Sequence, residues 1–313
     1  MRKKISVGFT IALAVLTAVV SCVLTIVVSS QVFNGLMSDI PEKENMYDAL
    51  AEADAIIREH YAGEIDADAL RVGVADGYLA SLSFGTNYMM DRERYADYKS
   101  TMSGVDPANG KAVASLVSEK YGSVGYIRIA AFLDDTAREF ETAAGNLIDQ
   151  GVEGLVLDLR GVESINIASA AALIDAVVPI ATEGTQAIAT VLDKAGQTLH
   201  TFSSDRSGIS VNMAVLVNSE TAGAGELVAC DLRDFGKAVI VGQTTRGCGT
   251  YQEIFELSDG SAMVLTVGTL LPYISDSFDG VGVVPDYKSE GERTENLKDD
   301  SQFLQAYAVI SLI

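Results

Sequence analysis

Basic residues are scarce in this sequence, which has 22 Lys and Arg side chains against 43 Asp and Glu side chains and a net charge of −21. Nucleic-acid binding needs clustered Lys and Arg to neutralise phosphates, so this charge balance argues against that class of protein. It argues equally against adhesion to anionic lipid through a basic face. The composition indicates an acidic, well solvated surface that keeps the folded domain in solution.

Cysteine and histidine are also rare, with three cysteines and two histidines in 313 residues. Three cysteines are too few for a disulfide framework, and none forms a CxxC pair or joins a histidine cluster at metal-ligand spacing. Cys230 and Cys248 lie in different predicted elements, and a bond between them is not expected. The sequence therefore predicts no metal site and no cofactor.

Charged residues are missing from residues 5–37, which follow the basic start Met1-Arg2-Lys3-Lys4. An uncharged segment of this length exceeds the roughly 20 residues that cross a bilayer. Because the positive residues precede it, we expect a single-pass protein of the cell membrane, with its N-terminus in the cytoplasm and everything after about residue 38 outside. Two alternatives are a cleaved signal peptide and a lipoprotein with lipidation at Cys22.

The rest of the sequence alternates between helical and strand patterns. Apolar spacing predicts helices over residues 42–58, 66–82, 110–120, 136–150 and 167–180. Short apolar or alternating runs predict strands at residues 125–132, 154–160, 251–255 and 262–267 and a hairpin over 184–202. A strand, a helix and a strand in succession over residues 125–160 predict a parallel βαβ unit. The apolar residues at 303–313 indicate a last helix or strand.

The functional inferences depend on the stretch from residue 214 to residue 252. Its pattern predicts a buried strand (Ala214–Val217), a turn (Asn218–Thr221), a helix (226–235), a second buried strand (Ala238–Val241) and a glycine-rich loop (Gly242–Gly249). A strand that turns sharply into a helix is how α/β enzymes present a nucleophile, because the turn lifts one side chain clear of the sheet.

This stretch resembles the C-terminal processing peptidases, also called tail-specific serine proteases. Their nucleophile lies in a run like S-A-S-A-S-E, which is in register with residues 221–226, TAGAGE, so the family's serine falls on Gly223. Their general base is a lysine in a loop like K-T-F-G-K-G-x-V-Q, which is in register with residues 244–252, TTRGCGTYQ. Cys248 then occupies the lysine position, and Gln252 is retained. The resemblance implies a serine-type peptidase scaffold without its two catalytic side chains.

A third part of the family's machinery, the oxyanion loop, has also changed. The family continues D-L-R with a stretch like N-x-P-G-G, whose glycine amide helps to form the oxyanion hole. Here Asp158-Leu159-Arg160 is followed by Gly161-Val162-Glu163-Ser164-Ile165. The resemblance places Gly161 and Ser164 in the oxyanion loop, and an anionic Glu163 would repel the charge that an oxyanion hole stabilises. The closing G-x-x-P-D of the family matches residues 282–286.

The resemblance implies an α/β fold with a spiral core of the type shared by crotonases and the caseinolytic protease. It divides the chain into a cytoplasmic tip with a transmembrane anchor, an N-terminal helical arm, a tail-specific-protease-like core and a C-terminal extension, at residues 1–37, 38–122, 123–290 and 291–313. The family's PDZ domain, which holds peptide tails, has no counterpart of sufficient length. Arms of this kind often dimerise in the family, so a homodimer is one expected state.

Two functions stay open at this point. The first is an inactive homologue that binds polypeptide tails in the extracytoplasmic space, or that regulates or assembles with a protein partner. The resemblance then implies that a peptide contacts the small residues of the two loops, namely Ala222, Gly223, Ala224, Gly247 and Gly249.

The second function is an active serine-type endopeptidase with a displaced nucleophile. Thr221 is the first candidate and Ser219 the next, although both lie on the strand side of the turn. Arg246 cannot replace the missing base, because a guanidinium stays protonated. Cys248 could attack only as a thiolate with a base beside it, and the sequence offers two histidines, His60 and His200, for that role.

Overall fold

The structure is a computed structural model of the chain, and it describes Ser21 and residues 40–178, 185–204 and 208–312. The chain divides into two compact units, residues 1–70 and 71–313. The predicted anchor and the lipidation candidate Cys22 lie outside the described residues, apart from Ser21. Within the described ranges, none of the helices combines the length and the apolar character that a membrane crossing requires.

Helices and strands follow one another along the described residues. The helices are α1 (Ile40–His60), α2 (Ala67–Ala80), α3 (Arg92–Met102), α4 (Thr136–Asp149), α5 (Ile167–Val177), α6 (Ala224–Asp234) and α7 (Ser301–Ile310). The strands are β1 (Tyr88–Met90), β2 (Leu116–Tyr121), β3 (Val124–Ile129), β4 (Gly154–Asp158), β5 (Glu163–Ser164), β6 (Gln186–Leu192), β7 (Thr198–Ser204), β8 (Asn212–Val217), β9 (Ala222–Gly223), β10 (Ala238–Gly242), β11 (Thr250–Glu256), β12 (Ala262–Leu271) and β13 (Tyr287–Lys288).

A six-stranded sheet in the order β13-β10-β8-β4-β3-β2 carries the candidate site at its carboxyl edge. Strands β3, β4, β8, β10 and β13 run parallel, and β2 is antiparallel to β3. The βαβ unit predicted over residues 125–160 is confirmed as β3, α4 and β4. Because the strands are parallel, the loops after β4, β8 and β10 meet at one edge of the sheet, where α/β proteins place their ligands.

Different helices cover the two faces of this sheet. One face packs against α4, α5 and α6 through fully buried side chains that include Ile127, Leu157, Val215, Phe140, Leu173 and Leu227. The other face packs against α7 through Tyr126, Val156, Leu216 and Phe303. Strands buried on both faces need continuous apolar runs, which explains why Leu155–Leu157 and Ala214–Val217 contain no polar residue.

The predicted helix over residues 110–120 is wrong. The structure has β2 there, and it pairs antiparallel with β3 from Leu116 opposite Ile129 to Tyr121 opposite Val124. Ala, Leu, Glu and Lys favour a helix locally, but the edge of β3 offers backbone partners that a helix could not use. Long-range pairing therefore overrides local propensity in this segment.

A second sheet is antiparallel and has the order β1-β12-β6-β7, with β11 also paired to β12. Strand β1 belongs to the segment that we expected to be part of a helical arm, so residues 38–122 are not helical throughout. All residues from Tyr88 to Tyr126 are described, and they form β1, α3, β2 and the start of β3. This segment contains no five- or six-stranded sandwich of the PDZ type.

Candidate functional site

The strand, turn and helix that the sequence predicts are formed by β8, residues 218–221, β9 and α6. Side chains hold the turn from inside. Thr221 is fully buried, and its hydroxyl donates to the Leu159 carbonyl at 2.9 Å and accepts from the Asn218 amide at 3.1 Å. The Thr221 hydroxyl therefore serves the turn, and it does not line the cleft in which a substrate could reach a nucleophile.

Gly223 stands at the N-cap of α6 with φ 60° and ψ −110°. This positive φ is costly for any residue with a β-carbon. A β-carbon at this position would also lie 2.3 Å from the carbonyl oxygen of Ser164. The turn therefore has the strained shape of a nucleophile elbow. The space that a side chain at position 223 would need is occupied by the backbone carbonyl of Ser164.

The oxyanion loop lies against this turn. Glu163 and Ser164 form β5, which pairs parallel with β9, so that Ser164 is opposite Gly223. The Gly161 amide donates to the Asn218 side-chain oxygen at 2.9 Å. The Gly161 amide is thus engaged within the protein and is not free to donate to an oxyanion, and the Ser164 carbonyl, which is an acceptor, points at the side-chain position of Gly223.

Glu226 joins the turn to the loop after β10. Its fully buried carboxylate accepts from the Gly223 amide at 3.0 Å and from the Cys248 amide at 2.7 Å, both through Oε2. Its Oε1 accepts from the Gly247 amide at 2.6 Å and the Thr245 hydroxyl at 2.5 Å. One carboxylate therefore joins Gly223 and Cys248, the two positions that the resemblance assigns to the dyad.

The sequence places Glu226 at the start of the predicted helix and in register with the glutamate of the family's S-A-S-A-S-E run, and neither pattern predicts its partners in the loop after β10. A glutamate three residues after an N-cap is typical of a capping box, and that local signal predicts the bond to the Gly223 amide. The bonds to Thr245, Gly247 and Cys248 span about twenty residues of sequence and depend on the placement of β10.

Replacing Glu226 by glutamine is expected to destabilise the protein by about 3 kcal/mol or more, because an amide NH₂ must then face buried donors that need an acceptor. Urea unfolding of the Glu226→Gln variant measures this loss. Glu220→Gln is the matched control, since Glu220 is exposed and its substitution should change stability by less than about 0.5 kcal/mol. Equal stability of the two variants would contradict the role of Glu226.

Cys248 lines the cleft but is a poor nucleophile. Burial raises the pKa of its thiol, the nearby Glu226 carboxylate raises it further, and the charge of Arg246 offsets only part of this. The thiol is therefore protonated at neutral pH. His200 is bound to Glu253 at 2.9 Å and lines a neighbouring cleft, and it is not among the residues that line the cleft with Cys248.

Arg246 forms an ion pair with Glu163 at 2.7 Å. This pair connects the loop after β10 with the oxyanion loop across the mouth of the site. The hydrogen bond to Glu163 raises the pKa of Arg246, so the guanidinium stays charged and cannot act as a base.

The cleft at Gly223 has a volume of 540 Å³. Of the residues expected to contact peptide, Ala222, Gly223 and Gly247 line it, together with Ser164, Cys248 and Gln252. Ala224 is fully buried beneath the turn, and the Gly249 amide is bound to Asp279 at 3.0 Å, so these two do not line the cleft. Gln252 donates to the Thr86 carbonyl and thereby ties the cleft wall to the segment before β1.

A second cleft of 490 Å³ adjoins the first. The two share the side chains of Tyr98, Met102, Ile165, Ile167 and Gln252. Strand β11 runs beside both, and among the described residues it pairs with β12 alone, which leaves its other edge open. No three His, Cys, Asp or Glu side chains in the described ranges come together as metal ligands would.

The fold and the site define an α/β protein with a strand, a sharp turn and a helix of the kind that presents a nucleophile in α/β enzymes, and Gly223 lies at that turn. The chain belongs to peptidase family S41, whose family model matches residues 123–289. It is 34% identical over 172 residues to the chloroplastic carboxyl-terminal-processing peptidase 1 of Arabidopsis thaliana. The aligned residues cover 53% of this chain and 34% of the relative. It is 29% identical to the carboxy-terminal processing protease CtpA of Bacillus subtilis, over 57% of this chain and 38% of the relative. The chain thus matches a little over one third of these relatives' length.

Solved structures agree with this assignment. The photosystem II D1 C-terminal processing protease has 26% sequence identity and a TM-score of 0.50, over 58% of this chain and 50% of its own. A lipoprotein from Streptococcus agalactiae has a TM-score of 0.58 over 78% of this chain and 82% of its own, with 16% identity, and shows the fold alone. The described part of the chain therefore shares the α/β fold of S41 proteases.

Proposed function

We propose that this protein is a catalytically inactive S41 homologue that binds an extended polypeptide segment in the cleft at Gly223. The observation that carries the proposal is the position of the Ser164 carbonyl, which leaves no room for a nucleophilic side chain at position 223. The cleft beside this position is open. The protonated thiol at the position of the base supports inactivity independently.

The open edge of β11 supports peptide binding. A strand edge presents unpaired amides and carbonyls, and an extended peptide can pair with them whatever its sequence. Alternate side chains of such a peptide would then reach the apolar surface formed by Tyr98, Met102 and Ile165, which both clefts share. Main-chain pairing does not depend on the catalytic side chains, so their loss leaves this mode of binding intact.

The charge of the clefts favours one type of segment. Four acidic side chains line the clefts, namely Asp134, Glu163, Glu253 and Asp279, against Lys99 and His200. Arg246 pairs with Glu163 and His200 with Glu253, which leaves Asp134 and Asp279 as the acids without an ion pair to these two groups. We therefore propose a partner segment with an apolar centre and basic flanks. The attraction should weaken with salt, because these side chains are partly exposed.

The full chain is expected to bind a short peptide with an apolar centre and lysine flanks about tenfold more tightly than the same peptide with glutamate flanks. The reason is that glutamate flanks would be repelled by the acidic side chains of the clefts, whereas lysine flanks would be attracted to them. Fluorescence anisotropy with labelled peptides measures both affinities. Ile165→Ser should weaken binding about tenfold through the lost apolar contact. Leu199→Ser, an exposed position on β7 that lines neither cleft, is the control. Tighter binding of the glutamate peptide, or equal loss in both variants, would contradict the proposal.

The setting of this function is proposed from the sequence. A membrane anchor would hold the family domain outside the cell membrane, where it would meet polypeptide tails or an active homologue. A pull-down of the tethered protein from its own membrane separates a binding module from a subunit of a larger peptidase.

The alternative is an active endopeptidase with a displaced nucleophile. Thr221 is buried, and Ser219 lines a different cavity from the cleft at Gly223. Peptide hydrolysis that Thr221→Ala or Cys248→Ala abolishes would establish this alternative.

A further inference from the structure

Helix α6, which Gly223 caps, carries a carboxyl group that is buried without a counter-charge. Asp231 is fully buried, and its Oδ1 accepts from the Tyr273 amide at 2.9 Å. Its Oδ2 is also buried, and it has no hydrogen-bond partner in the described part of the chain. An ionised carboxylate accepts through both oxygens, and a buried charge without such partners is costly. The geometry therefore favours the neutral acid.

The other charged and titratable groups of α6 do not offset a charge on Asp231. Asp234 lies one turn further along the helix, and its negative charge opposes ionisation of Asp231. Arg233 and Lys237, which follows the helix, each donate to a backbone carbonyl and not to Asp231. Burial raises the pKa of the Cys230 thiol to about 11, so this neighbour is neutral as well.

Within the described residues, the elements packed against this part of α6 supply no counter-charge either. Helix α5 has one titratable side chain, Asp175, and strand β10 has none. Tyr273 donates its amide to Asp231, and its hydroxyl accepts from the Gln186 side chain. Burial raises the pKa of Asp231 well above its usual value, the Tyr273 amide opposes this shift, and the charge of Asp234 adds to it.

Two carboxyl groups of α6 hold the segment 273–275, and we call this contact the α6 joint. Asp231 accepts from the Tyr273 amide, and Asp234 accepts from the next two amides of the segment at 3.1 and 2.7 Å. Asp234 also accepts from the Ser275 hydroxyl at 2.6 Å, so it receives three hydrogen bonds, as an ionised carboxylate does. A second carboxylate beside it would be repelled, whereas a neutral acid is not.

The segment that the joint holds continues to the cleft at Gly223. Asp279 lines that cleft, and its carboxylate accepts from the Gly249 amide at 3.0 Å. The Gly280 amide donates to the Gly247 carbonyl at 2.8 Å. The α6 joint therefore lies just ahead of a part of the chain that forms a wall of the cleft.

We propose that the α6 joint is a pH-sensitive switch, which Asp231 holds closed as a neutral acid and loosens when it loses its proton. An aspartate of the unfolded chain ionises near about pH 4. Above that pH the folded protein binds one more proton than the unfolded chain, so stability falls as the pH rises, until the folded group ionises as well. The proposal does not depend on peptide binding in the cleft.

Urea unfolding of the full chain at several values between about pH 5 and 8 measures this proton linkage. The unfolding equilibrium constant of the wild type, divided by that of Asp231→Asn, should rise by up to about tenfold per pH unit. Asparagine keeps an acceptor for the Tyr273 amide and has no proton to lose. Asp231→Ala removes the same proton and carries the test if the asparagine variant does not fold. Asp149→Asn, at an exposed position of α4, is the control and should keep the wild-type pH dependence.

Nuclear magnetic resonance separates a switch at the joint from a general loss of stability. The carboxyl carbon of Asp231, identified by its absence in Asp231→Asn, should keep the shift of a neutral acid where exposed aspartates titrate, near about pH 4. The amides of residues 273–275 should lose protection from hydrogen exchange as the pH rises, after correction for the intrinsic rate. This loss should be larger than that of the β8 amides and absent in Asp231→Asn.

Three results would overturn the proposal. The first is an Asp231 carboxyl resonance that titrates together with those of the exposed aspartates. The second is the same pH dependence of exchange at residues 273–275 in the wild type and in Asp231→Asn. The third is a set of parallel stability curves for the wild type, Asp231→Asn and Asp149→Asn.

Discussion

A serine at position 223, combined with a lysine at position 248, is expected to give no peptide hydrolysis. The β-carbon of the serine would lie 2.3 Å from the Ser164 carbonyl oxygen, and the residue would be strained at φ 60°. Strain of this kind costs about 1–3 kcal/mol before the clash is counted. The Gly223→Ser, Cys248→Lys variant should therefore be inactive towards casein and tail peptides and should unfold at lower urea concentration than the wild type.

Gly145→Ser is the matched control for stability. Gly145 is an exposed position of α4 with nothing within 4 Å of its β-carbon position, so serine there should be neutral or slightly stabilising. If Gly223→Ser unfolds at the same urea concentration as Gly145→Ser, the Ser164 carbonyl does not block a side chain at position 223.

The oxyanion loop decides whether activity can be rebuilt. Changing residues 163–165 to Pro-Gly-Gly, in addition to the dyad, should remove the β5 pairing and the Glu163 charge. Loss of a single oxyanion donor costs about 10²–10³ in rate, so this change should matter as much as the dyad itself. Turnover by the wild type would overturn the proposal of an inactive homologue. Turnover by the dyad variant alone would show that Ser164 does not block a side chain at position 223 and that the loop at 163–165 need not be rebuilt.

Replacing Asp300 by asparagine is expected to cost about 3–5 kcal/mol of stability, because it leaves the buried Arg160 with an incomplete set of partners. Arg160 and Asp300 are joined at 2.8 and 3.1 Å, and both side chains are shielded from solvent. Asparagine still caps α7, where Asp300 accepts from the Phe303 amide, so the loss reports on the ion pair. Asp299→Asn, at an exposed neighbouring position, is the control.

The same pair predicts how stability changes with acid. Burial opposes ionisation of Asp300, but the hydrogen bonds and charge of Arg160 outweigh it and lower its pKa. The pair therefore stabilises the protein fully above about pH 4, near the pKa of an unfolded aspartate, and this contribution is lost as the pH falls through the folded pKa. Unfolding free energies measured between about pH 6 and 3 should fall less steeply for Asp300→Asn than for Asp299→Asn. Parallel curves would contradict this assignment.

Much of the local structure could be predicted because it depends on neighbouring residues. The spacing of apolar residues predicts α4 and α5, and the turn residues at 194–196 predict the hairpin of β6 and β7, which the structure contains. The sequence also determines that position 223 has no side chain and that position 248 has no amine. These facts need no tertiary structure, since they follow from residue identity and register.

The tertiary structure decided the contacts that join distant segments. Residues 163–164 pair with 222–223, Glu226 binds the loop at 245–248, and Arg160 meets a carboxylate 140 residues later. Pairing with the edge of β3 likewise stabilises β2 as a strand, although its residues favour a helix locally. Local patterns do not encode such pairings, because each partner's position depends on how the whole sheet is assembled. The sequence alone therefore determined that positions 223 and 248 carry no hydroxyl and no amine, and the fold decided that the Ser164 carbonyl lies where a side chain at position 223 would begin.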